Sequence, residues 1–188
     1  MERSPKPTVL IVPGLRDHVE DHWQTILGKR IQGSVTVPPS QDDKLWCPAR
    51  VAALQATIRK IAGPVVLVAH SAGVMIAVHW AQHHLHRIQG ALLVTPADLE
   101  EPLPQGYPTP EAILDNGWLP IPRRRLPFPA IVAASTNDPL ARFERVEGYA
   151  RDWGARLVDL GAVGHLNPAA GFGEWAGAET FLRELRAV

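Results

Sequence analysis

This sequence has little cysteine, no excess charge of either sign and no long apolar run, and each deficit excludes a class of protein. Cys47 is its single cysteine, so no disulfide can form within the chain. The 19 basic side chains balance 19 acidic ones, and a net charge of zero gives no general attraction to nucleic acid or to an anionic membrane. No apolar run is long enough to span a bilayer. We therefore expect neither a nucleic-acid nor a membrane partner.

The first residues are polar and lead directly into an apolar, β-branched segment. Because no apolar signal-peptide region precedes that segment, we expect a cytoplasmic protein. The 188 residues suit a single domain spanning 1–188 with a sizeable core, and 46% hydrophobic residues is an ordinary content for a globular protein. A monomer is the default expectation, and nothing in the sequence indicates a protein partner.

Short apolar segments alternate along the chain with longer amphipathic ones. Strands are predicted at 8–12, 34–37, 65–69, 91–95, 130–134 and 156–160, several of them apolar on both faces. Helices are predicted near 21–32, 48–62, 73–86, 139–153 and 173–186, the first with Asp21 as N-cap of a capping box. The pattern predicts an α/β fold with an open, mostly parallel six-stranded sheet and helices on both faces. In such sheets active residues collect beyond the carboxyl ends of the strands.

The segment 96–129 interrupts this alternation and contains nine prolines. A short helix is predicted from Pro110 to near Gly117, because proline suits the first helical position. A connection this long in a compact domain usually forms a lid or a pocket wall, so we expect a short lid-like segment. Trp118 in this segment and Trp46 in an earlier connection either line an acyl pocket or are buried at the edge of the lid. Its three arginines at 123–125 are either solvated or bind an anionic substrate group.

The most informative motif lies where the third predicted strand passes into a helix. A serine between small residues at a strand–turn–helix junction forms a nucleophile elbow, whose tight turn strains the serine backbone. Ser71 occupies that place, with Gly73 after it and Ala69 where the pattern usually has glycine. A helix N-cap would also favour serine here. We interpret Ser71 as a nucleophile.

A serine nucleophile needs a base, and the base needs an acid that orients it. His165 follows the predicted strand 156–160 in a glycine-containing loop, and Asp138 follows the strand 130–134. The chain order serine, aspartate, histidine is that of the α/β-hydrolases. Asp98, after the strand 91–95, is the rival acid, and Asp138 could instead cap the helix predicted from residue 139.

The negative oxygen formed during acyl attack needs preorganised hydrogen-bond donors. The amide of Ala72 at the start of the elbow helix is one candidate, and the amide of Leu15 is the other. Gly14 beside it permits close approach of the backbone. His22 lies near this loop and is a candidate for the pocket floor or for simple packing.

Two further groups of side chains have structural interpretations. His70 adjoins the nucleophile, but neighbouring residues at a sharp turn point apart, so we expect a structural role. His79 and His83 have the spacing of metal ligands but no acidic or cysteine partner, so we expect them on a solvated face. Neither a metal nor another cofactor is expected.

Several motifs in order along the chain resemble one known family. They are Val9-Leu10-Ile11-Val12-Pro13-Gly14, His22-Trp23-Gln24, His70-Ser71-Ala72-Gly73, Arg125-Leu126-Pro127-Phe128-Pro129, Asn137-Asp138-Pro139, Trp153-Gly154 and Gly164-His165-Leu166-Asn167. The chain thus resembles the small serine-hydrolase family of the α/β-hydrolase superfamily, which includes retinoblastoma-binding protein nine and bacterial homologues.

The resemblance implies a reduced hydrolase sheet and a triad of Ser71, Asp138 and His165. It also implies a serine hydrolase that cleaves a small carboxylic ester, thioester or amide through an acyl-enzyme, without naming the substrate. Because one family member is named for a binding partner, a non-catalytic protein-binding or regulatory module on a hydrolase scaffold is the alternative function.

Overall fold

A computed structural model describes residues 6–41, 43–84 and 86–187 as six strands and six α-helices in near-strict alternation. The elements are β1 (Thr8–Val12), α1 (Trp23–Arg30), β2 (Val35–Thr36), α2 (Cys47–Ile58), β3 (Val65–His70), α3 (Ala72–Ala81), β4 (Ile88–Val94), α4 (Pro110–Asp115), β5 (Ala130–Ala134), α5 (Phe143–Trp153), β6 (Arg156–Asp159) and α6 (Gly177–Ala187). A 3₁₀ turn spans Pro168–Ala170.

The six strands form one sheet in the order β2-β1-β3-β4-β5-β6, and every neighbouring pair is parallel. This confirms the predicted fold class. All six residues of β3 are buried, as are the five of β5, because helices cover both faces of the sheet.

The core is divided by the sheet into two apolar layers. One contains side chains of α2, α3 and α5, among them Leu54, Met75 and Tyr149. The other contains side chains of α1 and α6, among them Leu27 and Leu182. Such a three-layer arrangement places the carboxyl ends of the strands at one edge, where the loops meet. No helix in the described ranges has both the length and the apolarity needed to cross a membrane.

The first helix corrects the prediction of an Asp21 cap. Helix α1 begins at Trp23, and the N-cap is His22, whose backbone is extended and whose Nδ1 accepts a hydrogen bond from the Gln24 amide at 3.2 Å. An imidazole therefore satisfies a free amide of the first turn, which is the role expected of the aspartate.

The fifth helix starts later than predicted. It begins at Phe143 with Arg142 as N-cap, so Asp138 does not cap it. Asp138 Oδ1 instead accepts a hydrogen bond from the Leu140 amide at 2.8 Å in the preceding turn. The short helix predicted from Pro110 is present and ends at Asp115.

Candidate active site

The junction of β3 and α3 holds Ser71 in a backbone conformation that few non-glycine residues adopt. Its φ is 59° and its ψ is −129°, and its hydroxyl makes no capping hydrogen bond to α3. The capping explanation of this serine is therefore not supported. A Cβ at Gly73 would lie 2.3 Å from the Val12 carbonyl oxygen, so only glycine fits there. Ala69 is fully buried, and its methyl group is accommodated in the core. The strain at Ser71 is the kind that functional sites retain.

His165 and Asp138 are in direct contact at the ends of the last two strands. His165 Nδ1 donates to the carboxylate, with 2.9 Å to Oδ2 and 3.0 Å to Oδ1 of Asp138. Their side chains are 6% and 2% exposed, so water competes little for this bond. With its Nδ1 proton engaged, a neutral His165 ring keeps Nε2 as a free acceptor.

Asp98, the rival acid, is bound elsewhere. Its carboxylate accepts hydrogen bonds from Arg145 at 2.7 and 3.1 Å and from the Tyr149 hydroxyl at 2.9 Å. Although burial opposes ionisation, these donors hold the pKa of Asp98 below its usual value. Asp98 thus anchors the start of the proline-rich segment to α5.

Two loops that carry the acid and the base are tied together by polar contacts. Asn137 Oδ1 accepts from the Gly164 amide at 2.6 Å and from the Ser135 hydroxyl at 3.0 Å. The carbonyl of His165 accepts from His70 Nε2 at 2.8 Å and from the Thr95 hydroxyl at 3.4 Å. His70 therefore has a structural role, as expected. The roles of Asn137 and Thr95 were not predicted from the sequence, although both are polar residues that follow strands.

Three imidazole rings lie in a row beside the nucleophile. The ring centroid of His70 is 4.6 Å from that of His22 and 4.7 Å from that of His165. Burial, helped by the nearby His165, lowers the pKa of His22 to about 4 and that of His70 well below its usual value. Both rings are therefore neutral near neutral pH. Since His22 Nδ1 accepts from a backbone amide, its ring proton is on Nε2.

The loop after β1 packs directly against the nucleophile. A Cβ at Gly14 would lie 3.3 Å from Ser71 Cβ and 3.6 Å from Ser71 Oγ. Leu15 and Ala72 line the same cavity, and the backbone amide of neither donates a hydrogen bond to another group in the described part of the chain. Both remain available to a ligand.

Arg50 of α2 holds this loop from behind. Its guanidinium is buried and donates to the carbonyl of Lys44 at 2.8 Å and to that of Leu15 at 3.3 Å, and it forms an ion pair with Asp17. Asp17 has a φ of 54°, so the loop turns sharply at this residue. The sequence alone did not reveal Arg50, because its contacts with Asp17 and Leu15 join residues more than 30 positions apart.

One cavity collects these groups. Its lining includes Ser71, His165, Gly14, Leu15, Ala72 and His22. The first part of the proline-rich segment closes one side with Ala97, Leu99, Leu103 and Tyr107. The rest of that segment does not border this cavity, so only its start acts as a pocket wall.

The two tryptophans expected at the pocket do not line it. Trp118 is fully buried in the core, where its Nε1 donates to the Leu45 carbonyl at 2.7 Å. Trp46 precedes α2 and is 41% exposed. Both expectations are corrected: the apolar indole of Trp118 packs inside the domain rather than along the cavity, and Trp46 faces solvent.

Other singled-out residues have structural partners. Arg123 forms ion pairs with Glu100 and Asp152, so it is neither simply solvated nor aimed at the cavity. His79 Nε2 donates to the Trp118 carbonyl at 2.9 Å, which corrects its placement on a solvated face. Among the described residues, no group of three or more histidine, cysteine or carboxylate side chains is arranged so that it could hold a metal ion. Burial raises the pKa of Cys47 to about 12, so it remains a thiol.

Comparisons with known proteins agree with this architecture. The family model for serine hydrolases matches residues 9–184. A YdeN-like hydrolase from Pectobacterium atrosepticum is 31% identical, with 97% of this chain and 91% of that chain covered and a TM-score of 0.81. The ydeN gene product of B. subtilis is 21% identical, covers 97% of this chain and 100% of its own, and has a TM-score of 0.70.

A more distant structure shares the fold alone. Est1E from Butyrivibrio proteoclasticus, with ferulic acid bound, is 13% identical and has a TM-score of 0.72, with 100% of this chain and 93% of that chain covered. No curated protein matches the sequence.

Proposed function

Because this chain belongs to the serine hydrolase family of the α/β-hydrolase superfamily, we propose that it cleaves a small carboxylic ester, thioester or amide through an acyl-enzyme on Ser71. The observation that carries the proposal is the buried His165–Asp138 hydrogen bond beside a strained Ser71 on one cavity. A serine hydroxyl becomes a nucleophile only with such a base.

Each member of the triad has a separate task in this mechanism. His165 Nε2 takes the proton of the Ser71 hydroxyl as its oxygen attacks the substrate carbonyl, and then gives that proton to the leaving group. Asp138 keeps the His165 proton on Nδ1 and stabilises the imidazolium ion while it exists. In the second half, His165 removes a proton from the water that attacks the acyl-enzyme, and it gives this proton to Ser71 Oγ as the bond between Oγ and the acyl carbon breaks and the acid leaves.

The negative oxygen formed in both halves is stabilised by the amides of Leu15 and Ala72. Both residues line the cavity, and their amides have no hydrogen-bond acceptor among the described residues, which supports this assignment. The loss of one such donor costs about 3–4 kcal/mol of transition-state stabilisation in comparable sites. Arg50 is a positioning residue here, because it binds the carbonyl of Leu15.

Replacing the nucleophile tests the proposal. We expect Ser71→Ala to lower turnover of activated esters by a factor on the order of 10⁴–10⁶, because the residual activity comes only from binding and the oxyanion donors. The matched control is Ser40→Ala, whose hydroxyl binds a carbonyl outside the cavity and should leave turnover at the wild-type level. The measurement is initial rates with an ester panel of varied acyl length. Unreduced turnover in a folded Ser71→Ala chain contradicts the mechanism.

A further inference from the structure

Arg16 is a charged residue on the cavity whose guanidinium is not paired with an acidic side chain of the described residues. It is exposed, borders the cavity between Leu15 and Asp17, and forms no ion pair or side-chain hydrogen bond with a described residue. Arg50 and Arg145, by contrast, each bind a carboxylate. A guanidinium without an internal acceptor has all five N–H donors available to a ligand.

The position of Arg16 relates it to the reacting atoms. It lies two residues after Gly14, which packs against Ser71. Because consecutive Cα atoms are about 3.8 Å apart, the Cα atoms of these two residues are at most ~8 Å apart. The guanidinium can thus contact a substrate group that is several bonds away from the carbonyl that Ser71 would attack.

Tyr107 of the proline-rich segment supports the guanidinium from one side. Its ring centroid is 5.9 Å from Arg16 Cζ, within the range of a cation–π contact. A guanidinium that stacks on a ring keeps its in-plane N–H groups for hydrogen bonds, and this planar fork fits a carboxylate with two parallel bonds.

The charges around Arg16 favour an anion. The nearest acidic residue on the cavity is Asp17, but its carboxylate is paired with Arg50 and lies 3.9 Å from Lys44 Nζ. One oxygen of Asp17 has no hydrogen-bond donor, yet its charge is compensated by these two cations. The cavity lining also includes the apolar side chains of Leu99 and Leu103.

We propose that Arg16 binds a carboxylate of the substrate, so that the preferred substrate is a small ester, thioester or amide bearing a carboxylate several bonds from the scissile carbonyl. This inference rests on the proposed function, which it narrows to a substrate class. The hydrocarbon between the two functional groups lies against the apolar wall, and the guanidinium sets the orientation.

Matched substrate pairs test the inference. The p-nitrophenyl monoesters of succinic, glutaric and adipic acid are compared with neutral p-nitrophenyl esters of equal acyl length. A second pair places the carboxylate on the alcohol: carboxyphenyl acetate against phenyl acetate. We expect kcat/KM of the wild-type chain to favour the anionic member of at least one pair, on the order of tenfold. High salt should reduce the ratio, since the guanidinium is exposed.

Variants test whether the preference for anionic substrates depends on the Arg16 side chain. Arg16→Gln should reduce the ratio of anionic to neutral kcat/KM by the same factor, and Arg16→Lys should retain part of it. Arg124→Gln is the control, because Arg124 is an exposed arginine outside the cavity lining, and it should keep the wild-type ratio. A wild-type ratio of one or less for every pair, or an unchanged ratio in Arg16→Gln, would overturn the inference.

A binding measurement separates this inference from the proposed function. Calorimetry with the Ser71→Ala chain compares monomethyl adipate with methyl hexanoate, neither of which is turned over there. Tighter binding of the anionic ester, lost on adding Arg16→Gln, supports the carboxylate site even if the wild-type chain hydrolyses no ester. Equal or absent binding of both esters overturns it.

Discussion

At the level of single residues, burial lowers the pKa of two histidines near Ser71, His22 and His70, and so keeps both uncharged near neutral pH. His22 and His70 pack ring against ring with little access to water, so protonating either one places an unsolvated charge in the core. The neutrality of both rings is favourable for the proposed mechanism. In the proposed mechanism, a second imidazolium next to His165 would oppose the positive charge that forms on His165 during turnover.

This burial predicts a pH dependence of stability. The pKa of His22 is about 4 in the folded chain, against about 6.5 for an unperturbed histidine. Between these pH values the unfolded chain binds more protons at His22 than the folded chain does. The free energy of unfolding therefore falls as the pH falls from about 6.5 to about 4, and His22 gives it no pH dependence above that range. Because burial also lowers the pKa of His70, this residue likewise reduces the free energy of unfolding as the pH falls.

Urea unfolding at pH 6 and pH 5, with and without His22, measures how much His22 contributes to the decrease in the free energy of unfolding. In His22→Asn, which keeps a side chain able to cap α1, the loss between these pH values should be smaller than in the wild-type chain by about 1 kcal/mol. His86→Asn removes an exposed histidine and should leave the loss unchanged. Equal losses in all three proteins would contradict the assigned burial effect.

At the level of elements, the site is assembled from loops that distant elements hold in place. The loop after β1 is fixed by Arg50 of α2, and the loop of His165 is fixed by side chains that follow β4 and β5. Local sequence patterns predict where these loops begin, since each follows an apolar strand. They do not show which distant donor holds each loop, because that depends on how the elements pack.

Arg50→Lys tests whether Arg50 positions the loop after β1, which carries Leu15, the proposed oxyanion donor. A lysine keeps the charge near Asp17, but a single ammonium group cannot replace the planar guanidinium that reaches three acceptors. We expect kcat for activated esters to fall by a factor on the order of 10², approaching the effect of losing one oxyanion donor, with a smaller change in KM.

The control for Arg50→Lys is Arg123→Lys, which also weakens an arginine–carboxylate network but lies outside the cavity lining. Thermal unfolding of both variants separates stability from catalysis. A kcat that stays at the wild-type value in folded Arg50→Lys would show that the loop needs no such support.

At the level of the whole molecule, the fold follows from hydrophobic patterning. The strands predicted at 8–12 and 130–134 have those bounds in the structure, because a strand covered on both faces is a continuous apolar run. β4 begins at Ile88, three residues before its predicted start, since Gln89 and Gly90 interrupt the apolar run. Gly90 packs closely against α6, because a Cβ there would lie 2.8 Å from Leu185 Cδ2 and that side chain would have to shift.

The residues of the site were predictable to different degrees. Ser71, Asp138 and His165 follow three strands whose ends share one edge of the sheet, so topology alone brings them to the same region. Trp46 and Trp118 misled the prediction because an aromatic residue in a connection fits a pocket wall, the core or the surface equally well. Arg16 and Arg50 gave no local signal, since their roles depend on contacts with other elements.

Covalent labelling tests the central claim most directly. The chain is incubated with a fluorophosphonate, and intact mass with peptide mapping locates and times the adduct. We predict one rapid adduct on Ser71, slowed by a factor on the order of 10³ or more in His165→Ala, because the hydroxyl reacts only when its proton is removed. An unlabelled wild-type chain, or an adduct on another residue, would contradict the account and favour a non-catalytic binding module.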